Sequence, residues 1–482
     1  MKKNLRESAP AVRNSASGAP GAGNCTTGLA FRRASGGFFT AGGAAGLALL
    51  SARDFAALVS GRGRRSPRLQ ALGFYRHFLD LDLESAAYAD AFFLRWRGPS
   101  VHIAAVTGDC GQNCRYCAAG SPRPGRMRAD TAARIAAMAF SCGEGPVMLE
   151  FQGGEPFLNF PAMRAAAGGA SALSRRTGRP VNFSVVTNLN RLSPEHLAWL
   201  KDNRVAVCTS LDGPADIHDR NRTMPGGGSS HALLEKNLAR LRRAGAGRGG
   251  WDAPNAVCTV TRASLGRASE IVGEFVRLGF SRVQLGPLEP LGRAAARYDE
   301  LAPSPEEFAS FYLEAMESIL RLNRRGLVLN EKGAMPFVKR FYAGAGARYR
   351  NLDLVRRLSY APDGGIYGSD EARLLAASGD DFFRLGTVGR DTFARLLEGP
   401  VARALLLCGL NPLTQHECSR CPYSSWCSVG PVFSYASQGG LWGNMITSRR
   451  CRAFKLVHDG LVRLAAEPAN EKIFRRWAEL PG

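Results

Sequence analysis

Three cysteines fall within the short segment Cys110-Gly-Gln-Asn-Cys114-Arg-Tyr-Cys117. Thiolates spaced CxxxCxxC on one loop can converge on a small inorganic cube. Three ligands on a four-iron cluster leave one iron open to a small molecule. A structural zinc site would want a fourth ligand close by, yet no His or Cys follows until Cys142. A zinc knuckle or unconnected thiols are the alternatives. A second group comprises Cys418, Cys421, Cys427 and Cys451, with Cys408 upstream. Tight groups in a long chain point to metal rather than to disulfides. Cys25, Cys142, Cys208 and Cys258 stand alone and read as leader or core positions. Polar candidates sit in Phe151-Gln-Gly-Gly-Glu-Pro156, in Thr187-Asn188, and in Ser210-Leu-Asp-Gly-Pro214 with His218, Asp219 and Arg222 beyond it.

These residues need elements to position them. Between Val101 and about Gly326, short apolar runs alternate with helical patterns six times. The expected strands are Val101 to Val106, Val147 to Phe151, Val181 to Val186, Val205 to Ser210, Ala256 to Val260 and Arg282 to Leu285. Helices are expected at Asp130 to Phe140, Pro194 to Lys201, His231 to Arg243, Ala268 to Leu278 and Pro305 to Leu322. Ser304 followed by Pro305 is a helix start with proline at the first helical position. Six βα units imply a parallel sheet, either doubly wound or curved as a partial barrel. Functional groups then belong at the carboxyl ends of the strands, which is where the first cysteine loop and the polar candidates fall.

Ahead of this array, residues 1–26 are Ser, Ala, Gly, Pro and Asn with scattered charge, a disordered leader. Residues 27–98 form a small α+β module, with extended stretches at Phe38 to Thr40 and Leu47 to Leu50 and helices at Ala52 to Val59 and Leu69 to Leu79. Past Gly326 the βα rhythm stops. Tyr360-Ala-Pro-Asp-Gly-Gly-Ile-Tyr367 reads as a hairpin turning at Asp363-Gly364, the clustered cysteines follow, and an amphipathic helix spans Phe454 to Leu464.

The chain has 482 residues, of which 45% are hydrophobic, so global disorder is excluded. Its 63 Lys and Arg against 41 Asp and Glu give a net charge of +22. Only 8 of those cations are Lys, which marks an Arg-rich background more than a nucleic-acid footprint. The apolar run from Gly36 to Leu50 is too short for a bilayer, which takes about 20 residues. No secretory signal is recognised, and a cytoplasmic, reducing setting is expected.

The CxxxCxxC loop after the first strand of a six-fold βα array, with Tyr116 before the third Cys, resembles the radical S-adenosylmethionine (SAM) superfamily. The resemblance implies a partial (β/α)6 TIM-like barrel over residues 99–330. It also implies a [4Fe-4S] cluster on Cys110, Cys114 and Cys117, and S-adenosyl-L-methionine on the open iron. Gly153, Gly154, Glu155 and Pro156 match the family's GGEP element, whose backbone and Glu meet the cofactor amine; paired glycines permit close approach and a carboxylate complements an ammonium. Thr187 and Asn188 are then placed for the ribose and carboxylate, Ser210 at the fourth strand end, and Arg222 for the methionyl carboxylate.

Residues 331–465 resemble a SPASM-like extension, with 466–482 left as a C-terminal tail. Relative to that pattern Pro431 replaces one Cys and Ser369 another, so the resemblance implies one auxiliary iron–sulfur cluster, on Cys418, Cys421, Cys427 and Cys451, with zinc as the alternative. Asp370 matches a general base of sulfatase maturases. A narrower similarity, carried by Glu150 to Asn159, Ser210 to Arg222, Ser369 to Arg373 and Pro431-Val432, is to the B-type maturase of His-Xaa-Ser peptide systems. It implies a small peptide or protein substrate, a paired second radical SAM maturase and an external electron donor, with neither membrane nor nucleic acid expected. By placement, the module 27–98 is a candidate binder of the substrate's leader. The rivals are a radical SAM enzyme acting on RNA, and a zinc or iron–sulfur scaffold protein.

Overall fold

The computed structural model describes residues 30–34, 36–42, 46–72, 74, 98–119, 125–342, 354, 356–409, 415–424, 427 and 429–480. The expected leader, Cys25 and the end of the helix expected at Leu69 to Leu79 lie outside the described residues.

The N-terminal segment is an antiparallel meander of β1 (Ala30–Ala34), β2 (Gly37–Gly42) and β3 (Gly46–Leu50), followed by helices Ala52–Val59 and Pro67–Ala71. The six expected βα strands are present as β4 (Val101–Thr107), β6 (Val147–Gly153), β7 (Val181–Thr187), β8 (Ala206–Ser210), β10 (Asn255–Val260) and β11 (Arg282–Pro287). Two short strands, β5 (Asn113–Cys114) and β9 (Arg222–Thr223), pair with each other outside that sheet. β12 (Asn330–Glu331) extends the sheet beyond β11.

Strand order in the sheet follows chain order, β4-β6-β7-β8-β10-β11, with every pairing parallel. A doubly wound sheet would reverse direction part-way. Without a reversal, right-handed crossovers put every helix on one face, and the sheet curls as a partial barrel with its helices outside. Alternation along the strands shows which face is which: Ala104, Val106, Leu149, Phe151, Val185 and Val207 join the helix-packed core, so Ile103, Glu150, Gln152, Ser184, Cys208 and Ser210 line the concave face. Cys208, expected in the core, is therefore on the lumen side and half-buried.

The helices start where capping chemistry allows. Ser193 and Ser304 each accept the N–H three residues on, and His196 and Glu307 reciprocate as capping boxes, both with proline at the first turn. Helix Phe160–Thr177 has no counterpart in the expected elements, because its contact stripe is small. Ala166, Ala167 and Ala170 are buried, and a Cβ on Gly169 would lie 3.4 Å from Ala136 of helix Ala129–Ser141. Small residues dilute the apolar periodicity while letting two helices approach closely.

The hairpin of β13 (Arg357–Tyr360) and β14 (Gly365–Tyr367) forms as expected, turning at Gly364 with φ +88°. It is not a separate extension. β13 pairs in parallel with β4, and β14 pairs antiparallel with β15 (Arg384–Thr387), so one ten-stranded sheet runs from β12 to β15. The expected amphipathic helix runs over Arg449–Ala466, and the stretch read as a tail forms helix Pro468–Glu479. There Phe474 and Trp477 are buried, and Phe474 stacks on Tyr342 at 6.2 Å. Among the described residues no helix is long and apolar enough to cross a membrane.

Candidate active site

The first cysteine loop starts at the carboxyl end of β4 and is tied down throughout. Thr107 Oγ1 accepts the Asp109 N–H at 3.1 Å, and Gly108 donates to the Gly125 carbonyl at 2.9 Å. Cys114 pairs with Arg222 across β5 and β9, and the Cys117 carbonyl accepts the Arg293 N–H at 3.0 Å as the chain returns from β11. Cys114 is buried, whereas Cys110 and Cys117 are half-buried. Burial pushes the Cys110 thiol up to about 11 and the Cys114 thiol up to about 12, and in both cases the neighbouring thiols add to the shift while Arg222 opposes it. The three sulfurs thus share one neighbourhood. Two buried donors there lack acceptors, Gln112 Nε2 and Arg222 Nε.

Gly153 and Gly154 do their close approach against this loop. A Cβ on Gly153, whose φ is +145°, would collide with the Thr107 carbonyl, and one on Gly154 with the Asp109 carbonyl. Instead Gly154 N–H donates to Thr107 O and Glu155 N–H to Asp109 O, both at 2.8 Å. Glu155 is 1% exposed. Its Oε1 accepts from Thr187 Oγ1 at 2.8 Å and from Phe157 N–H at 3.4 Å, and its Oε2 accepts from Asn188 N–H at 3.0 Å. Burial pushes this carboxyl up to about 7 against those donors. Asn188 Nδ2 in turn reaches Cys110 Sγ at 3.6 Å. Glu155, Thr187, Asn188 and the loop are therefore one hydrogen-bonded unit, with Pro156 starting the 3-10 turn Pro156–Asn159.

Arg222 is not a free guanidinium waiting for a carboxylate. It pairs with Asp212 Oδ1 at 3.1 Å and lies 5.3 Å from the centre of the Tyr116 ring. Tyr116 hydroxyl and Asn221 Nδ2 donate to Asp212 Oδ2, the latter at 3.2 Å, and Thr259 N–H donates to Oδ1 at 3.2 Å. Burial pushes Asp212 up, but Arg222, His218 and the donated hydrogen bonds outweigh it and hold the carboxyl below its usual range. Asp212 is thus the buried hub beneath the cysteine loop. Its only sequence signal was its place in Ser210-Leu-Asp-Gly-Pro214. Ser210 ends β8 half-buried on the concave face.

Asp370 sits elsewhere. Its Oδ1 accepts from Arg373 Nε at 2.7 Å and from Ser359 Oγ at 3.0 Å. Ser359 is level with Ile103 in the middle of β4, four residues or about 13 Å short of the strand end that carries the cysteine loop. The expected general base is therefore ion-paired and set back from the mouth. Glu150 shares that level, in register with both Ile103 and Ser184. It accepts from Gln152 Nε2 at 2.6 Å and Ser184 Oγ at 3.1 Å. Strand alternation on β6 was the signal that would have placed it in the lumen.

The second thiol group gathers at the start of helix Arg449–Ala466. Ser448 caps that helix by accepting the Cys451 N–H at 3.2 Å. Cys418, Cys427 and Cys451 pack together with Val429 and Met445, and Cys421 N–H donates to the Cys418 carbonyl at 3.2 Å. Burial raises all four thiols, Cys418 to about 11, and each has others of the set as charged neighbours or packing partners. Cys408 is raised to about 11 by burial alone, with no neighbouring thiol contributing. Among the described residues no three His, Cys, Asp or Glu side chains converge tightly enough to share a single ion.

Residues 105–267 match the sequence model of the Radical SAM superfamily. This stretch is a radical SAM domain. Among solved structures, the chain is similar to native anSMEcpe with bound AdoMet, at 16% identity and a TM-score of 0.64 over 77% of this chain and 99% of that one. The form of anSMEcpe with bound AdoMet and Cp18Cys peptide gives 18% identity and 0.64 over 77% and 100%. Streptococcus suis SuiB bound to S-adenosylmethionine gives 12% identity and 0.51 over 89% and 99%. At these identities the likeness is one of fold. A radical SAM domain is an enzyme domain that implies a [4Fe-4S] cluster and S-adenosylmethionine. The donor set of Cys110, Cys114 and Cys117 fits such a cluster, as do the two buried donors without acceptors beside it.

Proposed function

We propose that this chain is a radical SAM maturase that modifies a ribosomally made peptide of the His-Xaa-Ser repeat type. The observation that carries the enzyme class is the Cys110, Cys114 and Cys117 loop that follows β4, inside the radical SAM match. The peptide reading is supported by the second, four-thiol group and by a fold shared with anSMEcpe, which has been seen with a bound peptide.

When bound, the cluster and S-adenosylmethionine supply a 5′-deoxyadenosyl radical able to take hydrogen from an unactivated carbon. The chain's own residues hold and orient. Cys110, Cys114 and Cys117 ligate, while Tyr116, Asp212 and Arg222 fix the loop from below. Glu155 presents a carboxylate toward the cofactor amine from a frame locked by Thr187 and Asn188. Gly153 and Gly154 hold that frame against the loop. Glu150, on the concave face, and Asp370, bonded to Ser359 and Arg373, are the two candidate carboxylates for taking a proton from a substrate in the lumen. Cys418, Cys421, Cys427 and Cys451 fit a second iron–sulfur centre, since an all-thiolate set suits iron–sulfur or zinc. A paired second maturase and an external reductase belong to this reading, and residues 27–98 are its candidate leader-binding module.

Anaerobic reconstitution tests it. About eight irons per chain, cofactor-derived 5′-deoxyadenosine, and a mass change in a co-expressed His-Xaa-Ser peptide are expected. About four irons with the mass change retained would assign the second site to zinc; no iron would overturn both cluster assignments.

A further inference from the structure

We infer that Arg32, a residue of the N-terminal module, is a working part of the second thiol site and couples the module to it. This rests on the proposal that Cys418, Cys421, Cys427 and Cys451 hold a metal centre.

The module does not hang from the chain as an independent bead. Phe39 of β2 is fully buried, with its ring 5.6 Å from Tyr423, 6.2 Å from Phe341 and 6.5 Å from Phe337. Arg32 is the direct cross-strand partner of Phe39 in the β1–β2 ladder, so both side chains leave the same face of the meander. Arg32 Nε forms an ion pair with Asp459, and Asp459 Oδ1 also accepts the Tyr423 hydroxyl at 2.5 Å. Both partners belong to the segments that carry the thiols. Tyr423 lies between Cys421 and Cys427, and Asp459 lies on the Cys451 helix. One arginine is thereby tied to both halves of the site.

Charge supplies the reason. Four thiolates around zinc or around an oxidised four-iron cube leave a net charge of about −2. Two cations face this set: Lys455, one turn beyond Cys451 and hydrogen-bonded to it, and Arg32, whose field reaches Cys421 and Cys451. Lys455 comes from the same helix as the ligand. Arg32 comes from more than 380 residues away in sequence, so the part of the charge compensation that it adds to that of Lys455, against Glu417 and Asp459, depends on the docked module. A cavity of about 350 Å³ lined by Arg32, Phe39, Tyr423 and Asp459 opens beside the junction. Water there screens the interaction and keeps the effect modest.

The test uses the full-length chain, reconstituted, with metal content measured first. Arg32→Gln should speed metal release to a chelator about threefold. If the metal is iron, it should also lower the midpoint potential, by about 28 mV for a threefold shift in the reduction equilibrium at about 59 mV per decade for one electron. Asp459→Asn unmasks the arginine and should shift both quantities the opposite way. Arg32→Lys should restore wild-type values, and Tyr423→Phe, which changes no charge, should leave the sign unaltered. A loosened module would move Arg32→Gln and Asp459→Asn in the same direction, and hydrogen exchange over residues 30–42 reports that loosening directly. Metal bound normally, with the two charge variants unchanged or shifted together, overturns the inference alone. A site that binds no metal overturns the auxiliary-centre reading and the inference with it.

Discussion

Asp212→Asn is the substitution on which the proposed construction of the site can be tested most severely. The change keeps the side chain's shape but removes its charge, leaving Arg222 without a counter-ion in a place where the two side chains are 9% and 0% exposed. Because water reaches neither group, the surface discount for ion pairs does not apply. Breaking a buried pair by removing one partner costs about 3–5 kcal/mol. For a domain of this size each kcal/mol moves Tm by about 2–4 °C, so a drop of about 10 °C is expected in the metal-free protein. Local effects should exceed global ones: Tyr116 loses its charged acceptor, and hydrogen exchange across residues 110–117 should rise more than in the sheet. Adding Arg222→Gln should recover part of the loss, since the double variant no longer buries a lone cation. A coupling of at least about 2 kcal/mol between the two changes is expected. A metal-free Asp212→Asn protein melting within about 2 °C of wild type, with unchanged exchange in the loop, would refute the view that this hub holds the cysteines.

Further outcomes follow from the same geometry. Gly154→Ala must push the Asp109 carbonyl, and the loop with it, away from the β6 turn, and should abolish iron incorporation at the first site while leaving the circular dichroism of the barrel intact. Glu155 holds its proton up to about 7 in the free protein against an ordinary value of 4.5, so stability falls as pH rises across that window. An ammonium partner favours the charged form, so cofactor affinity should rise between about pH 6 and pH 7.5 with proton release seen by calorimetry, and Glu155→Gln should flatten that dependence. Cys114→Ala should eliminate 5′-deoxyadenosine, Cys427→Ala should remove only the second site's metal and leave some cofactor cleavage, and Cys408→Ala should change neither. Phe474→Ala empties a fully buried site in the last helix and should cost about 3–5 kcal/mol, read as a lower Tm; no change would mean the helix is not part of the core.

Local spacing and alternation carry far in this chain. The CxxxCxxC loop, the GGEP turn and the six strand runs are contiguous, and short-range rules of ligand spacing, turn chemistry and periodicity apply to them directly. Helix Phe160–Thr177 escaped because alanine and glycine pack without an apolar stripe. Helix Pro468–Glu479 escaped because its buried Ile473, Phe474 and Trp477 sit among charges, and its burial depends on a helix far back in the chain.

Partners distant in sequence were a different matter. That Arg222 is spent on Asp212 and Tyr116, and that Asp370, beside its helix neighbour Arg373, bonds Ser359 part-way down the sheet, are consequences of how the elements are set against one another. A residue's type says what it can bond, while register says what stands opposite. The order of strands decided barrel over doubly wound sheet in the same way, because both arrangements satisfy the same alternation of βα units. Likewise the two cysteine groups announce themselves as metal sites by type and spacing, yet the arrival of Arg32 beside the second group depends on how β1 and β2 dock. Sequence therefore established the chemistry available to this protein, and tertiary structure gave Asp212 and Arg32 their counter-charges, since electrostatic pairing depends on distance in space and not on distance along the chain.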